Sequence, residues 1–201
     1  MKKVAFEDIL NLYEYEKVRT EKVKEFLDMK KKRSMFLQDM FHIFFENTFS
    51  VWFQIQEMIR AERMVKDEDI NFEIEVYNDL IPEQNQLSAT FFIEIPEDEK
   101  RKQMLKELVG IHDGIFISFK DQKIKAKANE QSDMDYKFGK AATIHFIKFD
   151  FDNHQKELFK NEKAFIEINH KDINIKQEIP QEVKEELVKD LYSEKYISWK
   201  K

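Results

Sequence analysis

Ile9, Leu12, Tyr13, Val18, Val23, Phe26 and Leu27 recur at approximate helical spacing through residues 6 to 29, with glutamates and lysines between them, and predict one or two helices. The period changes in SMFLQDMFHIFFEN, where Phe36, Met40, His42 and Phe44 fall on one alternating set and predict a strand. Asn47 or Thr48 offers a side-chain oxygen to cap a helix expected to run to about Val65. Residues 67 to 81 fit both periods: Ile70, Ile74, Tyr77 and Ile81 suit a helix, Ile70, Phe72, Ile74 and Val76 a strand, and the helix is preferred. Pro82 closes that element, and LSATFFIEI then reads as a strand before Pro96.

The second half alternates short elements. EDEKRKQMLKELVG predicts an amphipathic helix stopped by Gly110, and IFISFKDQKIKAKA a hairpin turning near Asp121 and Gln122. The polar run ANEQSDMDYKFGK is expected to be the most mobile loop. AATIHFIKFDF predicts a buried strand, DNHQKELFKN a short helix, AFIEINHKDINIKQEI a hairpin turning near Lys171 and Asp172, and PQEVKEELVKDLYS a final helix with Pro180 near its first turn. Strands in hairpins beside grouped helices predict an α+β fold with a mostly antiparallel sheet, the helix-rich first 82 residues forming a layer on it. No repeat or linker interrupts the pattern, and 201 residues suffice for one full core, so a single domain is expected over 1–201.

The helix after Asn47, FFENTFSVWFQIQEMIRAER with its approach, has no clean polar face. At about 100° per residue, Val51, Trp52, Ile55, Met58, Ile59 and Val65 form one broad stripe that contains Glu62. Phe49, Phe53 and Met64 lie opposite, interleaved with Gln56, Arg60 and Glu57. The helix is therefore expected to be covered on both sides, with Glu62, Glu57 and Arg60 at least partly buried and in need of partners or a metal. One outcome is ion pairing: Glu57 with Arg60 across one turn, Glu62 with another cation. The other is a ligand or metal site joined by Glu94, on the half-polar face of its strand, and by His145, whose neighbours Ile147 and Phe149 are apolar. Glu57, Glu62, Glu94 and His145 would offer oxygen-rich ligation with one imidazole, suited to iron or manganese, with Arg60 orienting an anion.

Composition narrows the chemistry. With 34 basic and 40 acidic residues the net charge is −6, which gives no global attraction for nucleic acid. The run Lys30-Lys31-Lys32-Arg33 reads as a solvated helix end facing the negative pole of the helix dipole. The absence of cysteine excludes thiol nucleophiles and thiolate metal sites and fits a cytoplasmic location. The N-terminus lacks the apolar run of a signal peptide, and no stretch approaches the roughly 20 apolar residues that span a bilayer, so no membrane insertion is expected. With only three glycines there is no phosphate-cradling loop, and HExxH and GxSxG are missing. One ExxH match, Glu167 to His170, falls in a predicted hairpin rather than on the paired helices of a ferritin-like centre.

FEN at 45 to 47, QIQEMIRAER at 54 to 63, YNDLIP at 77 to 82 and LSATFFIEI at 87 to 95, with EDILNLYEYEKVR and ATIHF, together cover most of the chain and resemble the bacterial family called domain of unknown function 3501. The resemblance supplies no catalytic residues. It implies a setting, since such proteins are similar to ones often encoded beside rubrerythrin-like and iron–sulfur redox proteins. Two functions are therefore expected as alternatives: an accessory partner of a redox or peroxide-stress system, or a metal- or small-ligand-binding enzyme using the buried Glu/Arg/His set.

Overall fold

The computed structural model describes residues 1–129, 134–171 and 173–192. A 3-10 turn at Phe6–Asp8 leads into helix α1 (Leu12–Lys31), capped by Asn11, whose side chain accepts from the Glu14 N–H. Residues 34 to 47 are a hairpin, β1 (Ser34–Leu37) and β2 (Phe41–Phe45), rather than the one strand expected. The reversal occurs at Gln38, whose φ of 54° is left-handed; the alternation of Phe36 with Met40, His42 and Phe44 runs through it without revealing the turn.

Asn47 caps α2 (Thr48–Glu62) in a reciprocal arrangement with Ser50. This helix stops short of Val65 because Arg63 turns left-handed, with φ 51°. α3 (Asp67–Asn78) takes the helical alternative, with three acids in its first turn facing the positive end of the dipole. Then follow β3 (Gln86–Ile93), α4 (Asp98–Glu107), a 3-10 turn at Ile111–Gly114, and strands β4 (Ile115–Phe119), β5 (Gln122–Lys125) and β6 (Lys127–Ala128). The run expected as a mobile loop contains a short helix, α5 (Met134–Phe138), while residues 130–133 of that run lie outside the described residues. β7 (Ile144–Asp150), α6 (Asn153–Asn161), β8 (Ala164–His170), β9 (Ile173–Glu178) and α7 (Gln181–Tyr192) complete the order, with Asp172 of the last hairpin turn and Ser193 of the expected final helix outside the described part.

The α+β class holds, with the strands divided between two antiparallel sheets, β1-β2-β3-β7-β6 and β5-β4-β8-β9. Phe41, Ile43 and Phe45 of β2, Leu87, Ala89, Phe91 and Ile93 of β3, and Ile147 and Phe149 of β7 turn one face of the larger sheet inward. They share a core with Ile115, Ile117 and Phe119 of β4, Ile166 and Ile168 of β8, and Phe159, Val183, Leu187 and Leu191 of α6 and α7.

The opposite face of the larger sheet carries the helix layer. Tyr15, Val51, Trp52, Ile55, Ile59 and Ile74 form a second core there, and Phe26 of α1 stacks on Phe53 of α2 and meets Phe44 of β2 edge to face. α2 is thus covered on both sides, as its pattern requires.

Candidate metal centre

The five residues expected to converge do not. Glu57 receives two hydrogen bonds from the Arg19 guanidinium, at 2.8 and 2.9 Å, and one from the Tyr15 hydroxyl at 2.8 Å. These partners hold its carboxyl below the usual range, Arg19 contributing most. Arg60 pairs with Glu16 at 2.6 Å rather than with Glu57. Both ion pairs tie α2 to α1 across the helix interface, so the polar mix on α2 is largely a helix-packing network. Glu62 is exposed, because α2 ends at that residue and the stripe on which it was placed ends with it. Glu94 is also exposed and faces Nδ1 of His42 at 3.2 Å. A nearby acid that the sequence reading had not chosen, Glu46, is enclosed and accepts from the Ser50 and Thr90 hydroxyls, both at 2.5 Å, and from Gln54. Burial pushes its pKa up, against the opposing pull of those donors.

His145 belongs to a different group. It lies opposite Phe91 in the β3–β7 pairing and so enters the core between the sheets. Two residues meet it there that the sequence reading had not chosen: His112, from the 3-10 turn before β4, and Asp135, from α5. All three are buried, at 3%, 3% and 1% exposure for His112, Asp135 and His145.

Asp135 Oδ2 stands 3.6 Å from His112 Nδ1 and 3.6 Å from His145 Nε2, and the three candidate ligand atoms lie within 4.8 Å of one another. Two atoms bound to one ion at about 2.1 Å stand about 3.4 Å apart at a tetrahedral angle, so each Asp135–histidine pair needs only a small contraction to share a cation, and the two imidazoles, within 4.8 Å, a larger approach.

The surroundings fix each side chain. Ala142 N–H donates to Asp135 Oδ1 at 2.8 Å, which aims the other carboxylate oxygen at the imidazoles. The Ala142 backbone also hydrogen-bonds the His145 ring. Burial lowers the His145 pKa, reinforced by His112 and opposed by Asp135, so the ring is held neutral, the form that ligates metals.

The turn bearing His112 is bracketed by Gly110, with φ 79°, and Gly114, where an added Cβ would stand 2.2 Å from the Asn169 carbonyl oxygen. The His170 ring makes a 2.8 Å contact with the Val109 carbonyl just ahead of that turn. Gly139, with φ 63°, follows α5 and Asp135. All three glycines of the chain therefore lie beside the segments that carry His112 and Asp135, in GIHDG and in DYKFG, a local signal that was present in the sequence.

His112 Nδ1 and Asp135 Oδ2 have no hydrogen-bond partner among the described residues. Leaving such groups buried and unsatisfied costs about 1 to 3 kcal/mol each, and a shared cation would satisfy them together.

An α+β protein with helices layered on a two-sheet core, and a buried cluster of two histidines and one carboxylate, is the class that fold and site define. The chain matches the family described as Protein of unknown function (DUF3501) over residues 3–191 and belongs to that family. A crystal structure titled as a novel protein of unknown function from Burkholderia pseudomallei K96243 is similar to it at 27% identity. The match has a TM-score of 0.88 and covers 94% of this chain and 100% of that one. No match is found among curated proteins. Among the described residues, no helix is long and apolar enough to cross a membrane.

Proposed function

We propose that this protein is a metal-binding protein whose ion is held by His112, Asp135 and His145. The observation that carries the reading is the convergence of three buried ligand atoms within 4.8 Å, two of them with no hydrogen-bond partner among the described residues. Two neutral imidazoles and one carboxylate suit iron(II) or manganese(II), and three protein ligands leave coordination positions for water or a small oxygen-donor ligand. Iron or manganese thus remains the proposed cofactor, with His145 kept and Glu57, Glu62 and Glu94 replaced as ligands by His112 and Asp135.

Such an ion is compatible with the redox setting that the family resemblance suggested, and a cytoplasmic partner of the rubrerythrin-like or iron–sulfur class is the context in which we place it. The metal reading ranks above a purely accessory docking role because named residues support it.

The test is elemental analysis of protein purified without chelators from cells supplied with iron and manganese. Near-stoichiometric metal is expected in the wild type and its loss in H112A and H145A. Metal-free wild-type protein that also fails to take up iron(II), manganese(II) or cobalt(II) on titration would refute the reading and leave the three residues as a water-bridged polar cluster.

A further inference from the structure

His112 lies between two carboxylates. Its Nδ1 is 3.6 Å from Asp135 Oδ2, inside the proposed metal cluster, and its Nε2 is 3.7 Å from Asp113 Oδ2 on the other side. A neutral imidazole carries one N–H, so the two carboxylates compete for a single proton. If the proton sits on Nδ1 it faces Asp135 and blocks the metal-facing lone pair. If it sits on Nε2 it faces Asp113 and leaves Nδ1 as the ligand.

The structure equips Asp113 for the second arrangement. The Tyr136 hydroxyl donates to Asp113 Oδ2 at 2.8 Å, and Lys125 Nζ donates to Oδ1 at 2.9 Å. The Tyr136 ring also meets the His112 ring edge to face, with centroids 5.9 Å apart. Gly110 makes this approach possible, since a Cβ there would lie 2.3 Å from Tyr136 Oη. Consecutive residues of α5 thus engage His112 from both sides: Asp135 directly at Nδ1, Tyr136 through Asp113 at Nε2.

We infer that Asp113, anchored by Tyr136 and Lys125, is the positioning residue that selects the Nε2–H tautomer of His112 and so presents Nδ1 to the metal. Carboxylates hydrogen-bonded to metal-bound histidines act in this way, and their removal weakens metal binding about 10- to 100-fold; Asp113, 3.7 Å from Nε2, needs only a short approach to make that bond. The inference rests on the metal reading for its consequence, while the tautomer itself can be observed in metal-free protein.

Two measurements separate them. Long-range proton–nitrogen NMR of the metal-free protein is expected to show the Nε2–H form of His112 in the wild type, a shift toward Nδ1–H in D113A, and partial retention in the isosteric D113N. Chelator competition with cobalt(II) is expected to give about 10- to 100-fold weaker binding in D113A, with displaced visible bands, and a smaller loss in Y136F. An unchanged tautomer and unchanged affinity in both D113A and D113N, with binding abolished in H112A, would overturn the role of Asp113 and leave the metal site standing. Failure of the wild type to bind cobalt(II), iron(II) or manganese(II) would remove the metal reading, and the tautomer result would then decide only what holds the His112 ring.

Discussion

At Gly114 a methyl group has no room, because the atom it would meet is the backbone oxygen of Asn169, 2.2 Å away on β8. The backbone cannot yield as a flexible side chain can, so G114A must separate the His112 turn from β8. It is expected to lower stability by about 2 kcal/mol or more, read from urea denaturation, and to weaken metal uptake with it. A second residue gives a pH signature. Burial would raise the Glu167 carboxyl, but donors from Lys123, Ser118 and Lys176 outweigh it and hold its pKa at about 2. A depressed carboxylate contributes stability that is fully present above its unfolded value of 4.5 and is lost as the pH falls through 2. Wild-type protein should therefore lose stability between about pH 4.5 and 2, and E167Q should lose less across that interval in denaturation curves taken at each pH. Since Lys123 and Lys176 are substantially exposed, the difference should shrink in high salt.

Among elements, the hairpin and the last helix are joined by a buried ion pair. Arg33, just ahead of β1, donates to the Phe45 and Glu46 carbonyls and pairs with Asp190 of α7, across 157 positions of sequence. Burial pushes the Asp190 pKa up, and Arg33 opposes it. Removing one member leaves a buried charge with reduced compensation, so D190L is expected to cost about 3 to 5 kcal/mol. R33M with D190L should cost less than the sum of the two single changes, a coupling that a double-mutant cycle measures directly. The run Lys30-Lys31-Lys32-Arg33, expected as a uniformly solvated helix end, is therefore divided in function: Lys30 and Lys31 close α1, while Arg33 is 1% exposed. Composition alone gives no means of separating these neighbours, because what distinguishes Arg33 is a partner on the far end of the chain.

For the whole molecule, the larger sheet is shared by both cores: its inner face packs on the smaller sheet and its outer face receives the helix layer. Disrupting either core exposes that sheet, so we predict the single domain expected from sequence to unfold in one cooperative transition. Fluorescence of Trp52, which is buried in the helix layer, can be followed in a W199F variant alongside far-ultraviolet circular dichroism. Coincident transitions are expected, and two separated ones would show that the layers fold independently. Bound metal should raise the midpoint, by an amount that grows with its concentration above the dissociation constant, and H145A should abolish the increment.

The helix expected to be stopped by Gly110 ends at Glu107 with Leu108 as its cap, and Gly110 opens the 3-10 turn that follows. The sequence by itself determined most element types, a capped start of α2 at Asn47 or Thr48 and the covering of α2 on both faces. These depend on local periodicity and on backbone preferences that act within a few residues. It also determined the family, through motifs spread along the chain. Only the tertiary structure decided the division of the strands into two sheets, the partners of Glu57 and Arg60, and the exposure of Glu62 and Glu94.

The candidate centre shows the same division. His145 was legible as a polar residue on an apolar strand face, whereas His112 and Asp135 lay in a turn and a polar run whose compositions look like solvent-facing chain. What made them ligand candidates was proximity: β7 places His145 in the core, the glycine-bracketed turn brings His112 beside it, and α5 carries Asp135 in between. Such proximity comes from packing between elements, and a carboxylate becomes a metal ligand through the atoms that surround it in space, which spacing along the chain does not encode.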